Sequence, residues 1–125
     1  MENQIVEACK EGDLKLIRDL MAKDDINVNK RHGRDDKTYL DIACRRGHVD
    51  IVKFLIGSCG ANVNSQNKYG VTVLHQASFS GSTDVVRALM ESPSIEINTK
   101  SDNGMTAMYQ ASSGGSTEVV RELME

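Results

Sequence analysis

Between residues 72 and 90 the apolar positions follow a helical spacing that a glycine interrupts once. Leu74, Ala77 and Ser78 fall at i, i+3 and i+4, one face of a short helix. Gly81 ends that helix, as glycine does by tolerating positive φ. Val85, Val86, Leu89 and Met90 then mark one face of a second helix, with Asp84 and Arg87 paired at i, i+3 on its polar side. Ahead of the first helix, NSQNKYGV is rich in Asn and Gly and predicts a turn. Thr72 stands where an N-cap is wanted, its hydroxyl placed to accept from an orphan amide of the first turn. Residues 64–98 therefore predict a turn followed by two short helices.

The pattern recurs. Residues 70–90 (GVTVLHQASFSGSTDVVRALM) and 104–124 (GMTAMYQASSGGSTEVVRELM) lie 34 apart and match at 13 of 21 positions. Thr38, Thr72 and Thr106 keep this spacing, as do Gly47, Gly81 and Gly115, while Gly12 precedes Gly47 by 35. Asn29, Asn64 and Asn98 follow at steps of 35 and 34. Four units result, about 1–29, 30–64, 65–98 and 99–125. The first lacks the opening turn, and the last stops before the loop and Asn that would close it. The helical charge pair recurs as Asp50/Lys53 and Glu118/Arg121, with Lys15 and Arg18 breaking the rule.

A period of this length marks a stacked repeat protein. One helix pair cannot bury its apolar face alone, so each copy is shaped to fit the next. The expected fold is all-α, a solenoid of about four helix-turn-helix units in a single repeat domain over 1–125. Beyond Val119, Val120 and Leu123 no polar cap follows. A longer array, or cover by a partner or by self-association, is expected there.

Composition agrees. Aromatics are 4% and Trp is absent, so the core must be thin layers of Leu, Ile, Val, Met and Ala. A net charge of −3 argues against a general nucleic-acid binder. Three cysteines with no framework spacing argue for a reducing compartment. Charge interrupts the N-terminal apolar residues, so no secretory signal is read. No apolar run approaches ~18 residues, so no membrane insertion is expected. A cytoplasmic or nuclear location follows.

No residue set assembles a reaction. His32, His48 and His75 lack a paired nucleophile, and no C-x-x-C, H-E-x-x-H or EF-hand loop offers a metal site. No cofactor is implied. SSGGST (112–117) is glycine-rich but reads as an inter-helix turn rather than a phosphate cradle. KRHGRDDK (30–37) sets Lys30, Arg31, Arg34 and Lys37 against Asp35 and Asp36, with Arg45 and Arg46 following. This region is either a self-neutralising solvated turn or a site for an anionic ligand such as an acidic peptide or phospholipid.

The period, the two helices and the T-x-L-x-x-A signature resemble the ankyrin repeat. The nearest copies are GVTVLHQASFSGSTDVVRALM and KTYLDIACRRGHVDIVKFLIGSCGANVN, and the resemblance covers essentially the whole chain. There are departures. Tyr39, Val73 and Ala107 replace the family's proline. Its capping histidine survives only at His75, with Asp41 and Tyr109 in the other copies. Asp36 replaces the finger glycine kept at Gly70 and Gly104, and the first finger is one residue longer, predicting distortion. Cys9 and Cys44 stand where the family uses alanine.

The resemblance implies a non-catalytic protein-interaction module, a scaffold or adaptor segment of a longer protein. It binds a protein partner on a concave face of finger tips and inner helices. The alternatives are a free-standing inhibitor of another protein and the anion reader of 30–46. Contact positions are those that vary between copies. Tyr69 and Phe79 are expected as aromatic anchors, beside the apolar Val71, Ile42 and Met105. Lys68, Gln76 and Gln110 neighbour them, and Arg45 and Arg46 supply flanking charge. The competing place for Phe79 is the groove between repeats.

Overall fold

The computed structural model describes residues 2–23, 25–34 and 36–124. Eight α-helices occur among them: α1 (Glu2–Glu11), α2 (Leu14–Lys23), α3 (Tyr39–Arg46), α4 (Val49–Gly57), α5 (Val73–Ser80), α6 (Thr83–Met90), α7 (Ala107–Ser113) and α8 (Thr117–Met124). The only β pairing among the described residues is an isolated bridge between His32 and Lys37. The chain divides into two compact units, Met1–Ala61 and Asn62–Glu125.

In the first unit α1 packs on α2 and α3, and α3 packs on α4. Ile5, Ile17, Tyr39, Leu40, Ile51, Val52 and Leu55 are its most deeply buried large side chains. In the second unit α5 packs on α7 and α6, and α8 packs on α6 and α7. Leu74, Val85, Val86, Leu89 and Val119 fill its core. The small Ala77, Ser78, Ala107 and Ala111 are buried and let α5 and α7 approach. On α6 the buried face takes Val85, Val86, Ala88 and Leu89. Met90, expected on that face, is half-buried.

The helix limits have local causes. Thr38, Thr72 and Thr106 are extended N-caps whose hydroxyls accept from the amides of Asp41, His75 and Tyr109 at 3.1, 3.3 and 3.2 Å. α3 and α5 stop at Gly47 and Gly81, both left-handed, whose amides reach back to the last helical carbonyls. The repeat-closing Asn64 holds the loop after α6, donating to the Ser94 carbonyl at 2.8 Å and accepting from the Glu96 amide at 2.9 Å.

The fingers differ as their lengths do. In the second unit Asn67 N–H donates to the Val71 carbonyl, and Asn67 Oδ1 accepts from the Tyr69 and Val71 amides. Ser101 acts likewise: its amide donates to the Met105 carbonyl and its hydroxyl accepts from the Met105 amide. The first finger has one residue more between the same points. His32 and Lys37 there exchange backbone hydrogen bonds at 2.8 and 3.1 Å without a side chain. Asp36 closes that turn at φ 54°, the one positive-φ non-glycine residue among the described residues.

The capping slot is filled three ways. His75 is buried; its Nδ1 faces the Thr72 amide and hydroxyl, and its Nε2 reaches the Met105 carbonyl at 2.8 Å, fixing the following finger. Asp41 completes a capping box with Thr38 and binds Arg31 at 3.3 Å, and Arg31 donates to the Asp36 carbonyl at 2.7 Å. The departure from histidine therefore leaves the first finger braced by an ion pair. Tyr109 makes no reciprocal cap and is 55% exposed.

Candidate partner-binding surfaces

The second unit presents aromatic side chains on a satisfied framework. Asn67 builds the finger turn that displays Tyr69, and the Asp102 amide donates to the Tyr69 carbonyl at 2.9 Å. The backbone is thereby held while the ring stays 62% exposed. The Lys68 ammonium lies 5.4 Å from the Tyr69 ring centroid, a cation–π arrangement. Phe79 occupies the last turn of α5 and is 57% exposed, so it does not fill the groove between repeats. Its carbonyl lies where a Cβ on Gly114 would come within 2.6 Å, so only glycine admits this approach of the two inner helices.

The remaining expected contacts of this unit are less free. Val71, Gln76, Met105 and Gln110 are half-buried. The Gln110 amide donates to the Met105 sulfur at 3.4 Å, and the Met105 carbonyl is taken by His75. Sequence reasoning did not place Tyr109 on this surface, because its slot elsewhere holds a buried cap. The available signal was geometric: tyrosine carries its polar atom at the far end of the ring, away from the Thr106 amide that an imidazole or carboxylate in that slot would meet, and no reciprocal cap forms there.

The first unit presents charge. Arg45 and Arg46 are exposed on the last turn of α3. Ile42 was expected to be exposed beside them and is not: it is 7% exposed. The reason is that α3 buries its first six residues, Tyr39 to Cys44, and leaves only the two arginines outside. Ile42 instead lines a depression of about 280 Å³ with Lys10, Lys37, Arg45 and Arg46. Asp35, grouped with this region in the sequence, lies outside the described residues.

The other candidate groups have structural roles. His48 Nε2 lies 3.0 Å from the Lys10 carbonyl at the end of α1. His32 stacks on Tyr39 with centroids 4.6 Å apart. The three cysteines are free. Burial pushes the Cys9 thiol up to about 12, and burial followed by the charge of Asp41 pushes Cys44 the same way. Neither is a ready nucleophile near neutral pH. Among the described residues no group of three His, Cys, Asp or Glu could hold a metal ion, and no helix is long and apolar enough to cross a membrane.

A family model for ankyrin repeats, in three copies, matches residues 5–101. YahD, an Escherichia coli K12 protein named for ankyrin repeats, is 38% identical over 76 residues, 60% of this chain and 36% of that protein. A Caenorhabditis elegans protein whose name places it among the glutaminases is 32% identical over 76 residues, 60% of this chain and 12% of its own length. Rat fem-1 homolog A is 32% identical over 68 residues, 52% of this chain and 10% of that protein. The chain thus spans from about a tenth to about a third of the length of these curated relatives.

Proposed function

The chain belongs to the ankyrin-repeat family, and we propose that it is a non-catalytic scaffold or adaptor module that binds a protein partner through its finger tips and inner helices. Ankyrin repeats are generally protein–protein interaction modules. The observation that carries the finer reading is the exposure of Tyr69 and Phe79 on a framework whose surrounding backbone groups are bonded. A large ring left in water at a position that stacking does not require favours an interface, where aromatic anchors dominate the energy. Lys68 adds an exposed charge beside Tyr69, and Val71, Gln76, Met105 and Gln110 form the less exposed part of the proposed surface. Arg45 and Arg46 offer a separate charged surface on the first unit.

The test is capture of proteins from cell lysate by wild type and by Tyr69→Ala/Phe79→Ala, with circular dichroism on both. Losing two anchors of about 2 kcal/mol each weakens a partner by about thirtyfold for each anchor, up to about a thousandfold where the two add. At least one protein retained by wild type is expected to be lost by the folded variant. Equal retention by both would remove the aromatic surface from the reading.

Self-association through the last repeat is a second reading. It rests on the exposure of Tyr109 and of Met124, which is 73% exposed on α8. A sedimentation mass that rises with concentration, and that Met124→Lys returns to the monomer value, would support it.

A further inference from the structure

Four cationic side chains line one depression in the first unit. Lys10 comes from the last turn of α1, Lys37 from the close of the finger, and Arg45 and Arg46 from the last turn of α3. The buried Ile42 lines it with them. This concentration of charge sits in a chain whose net charge is −3.

The fold does not require these charges. Cations at a helix C-terminus are favoured by the helix dipole, yet α5 and α7, the corresponding inner helices of the second unit, carry no basic residue in their last turns. Lys37 is not on a helix at all. Among the described residues, three of the four charges are not neutralised from within. Asp41 and Asp36 are engaged by Arg31. Lys10 has an exposed partner, Glu7, at 3.6 Å. Lys37, Arg45 and Arg46 have no acidic partner among the described residues.

We infer that this depression binds an acidic segment of a protein partner, one carrying adjacent carboxylates. The inference rests on the reading of this chain as a protein-interaction module and names the chemistry of one ligand. A guanidinium donates two parallel N–H bonds to one carboxylate, which favours the two arginines as the primary contacts. A single carboxylate would leave most of the four cations uncompensated, so a run of acidic residues matches the site better. The buried Ile42 gives the depression one apolar wall.

The experiment titrates the full chain against a fluorescein-labelled Gly-Glu-Glu-Glu-Glu-Gly peptide and its Gln counterpart. Arg45→Gln/Arg46→Gln is compared with Lys100→Gln/Arg121→Gln, which removes the same charge from exposed positions of the second unit. The expected result is binding of the Glu peptide only. The depression variant should weaken it by about tenfold or more, and the control by less than about twofold. Binding should also fall as salt rises from about 0.05 to about 0.5 M. Equal binding of the Gln peptide, or equal loss in the control variant, would overturn the site. So would binding to phosphatidylserine vesicles without binding to the peptide. The titration does not involve Tyr69 or Phe79, so its failure is separable from failure of the aromatic surface.

Discussion

α3 and α5 occupy the same place in successive repeats and end in opposite chemistry. α3 closes on Arg45 and Arg46, α5 on Phe79 and Ser80. Both begin at a threonine cap and stop at a left-handed glycine, and both bury an alanine one turn before that glycine, Ala43 and Ala77. The difference lies in the two residues that point away from the packing. Stacking uses the inward positions completely and leaves the last outward turn free, so one scaffold can hold cations in one repeat and an aromatic ring in the next.

The capping slot breaks this comparison most strongly. His75 ties its own helix start to the Met105 carbonyl and is buried. His75→Ala loses the cap, the tie and buried volume together, and should cost about 2–4 kcal/mol. Asp41→Ala loses the capping box and one Arg31 contact but leaves Arg31 on the Asp36 carbonyl, so about 1–2 kcal/mol is expected. Tyr109→Ala, at an exposed ring that caps nothing, should stay within about 0.5 kcal/mol. Urea unfolding midpoints for the three variants check the order. A Tyr109 effect equal to that of His75 would mean that the slot is structural in every repeat.

A smaller effect is expected two positions before each helix ends. Cys44 and Ser78 share that slot, and both are buried. The thiol suits an apolar site, whereas the Ser78 hydroxyl is buried without a hydrogen-bond partner. An unsatisfied buried hydroxyl costs about 1–3 kcal/mol, so Ser78→Cys should raise stability by about 1 kcal/mol and Cys44→Ser should lower it by about as much. Thermal melts of the two variants would show opposite shifts. Shifts of the same sign would mean that the two slots are not equivalent.

These slots also show what could be read from the chain. Caps and stops were legible because they are local: a hydroxyl meets an amide three residues on, and a glycine turns the backbone where it stands. The exposure of Tyr69 and Phe79 was legible because an apolar residue at a variable position has no stacking role. Ile42 met the same criteria and is buried, because α3 turns six consecutive residues into the core and basic side chains from α1 and the finger share its surroundings. Such long-range neighbours leave no mark in the local spacing. The cationic depression was half legible: Arg45, Arg46 and Lys37 stood together in sequence, whereas Lys10 joins them only through the packing of α1 on α3.

The extra residue of the first finger was likewise visible, but not how the turn closes. Asp36 holds the position that Gly70 and Gly104 hold later, and all three have positive φ. A side chain in that conformation costs about 1–2 kcal/mol. Asp36 has its carboxylate 4.0 Å from Arg31 and 39% exposed, so screening by water leaves that contact little weight. Asp36→Gly relieves the backbone, gives up the weak ion pair and adds freedom to the unfolded chain, for a net gain of about 0.5 kcal/mol. At Gly70 the sign reverses. A Cβ there would meet the Asp102 amide nitrogen at 2.8 Å as well as adopt positive φ, so Gly70→Ala should cost about 2 kcal/mol. Opposite shifts in the unfolding midpoint would show that the longer finger tolerates a side chain by standing clear of its neighbours. If Asp36→Gly instead lowers stability, the Arg31 contact is stronger than its distance and exposure imply, and the first finger depends on that ion pair.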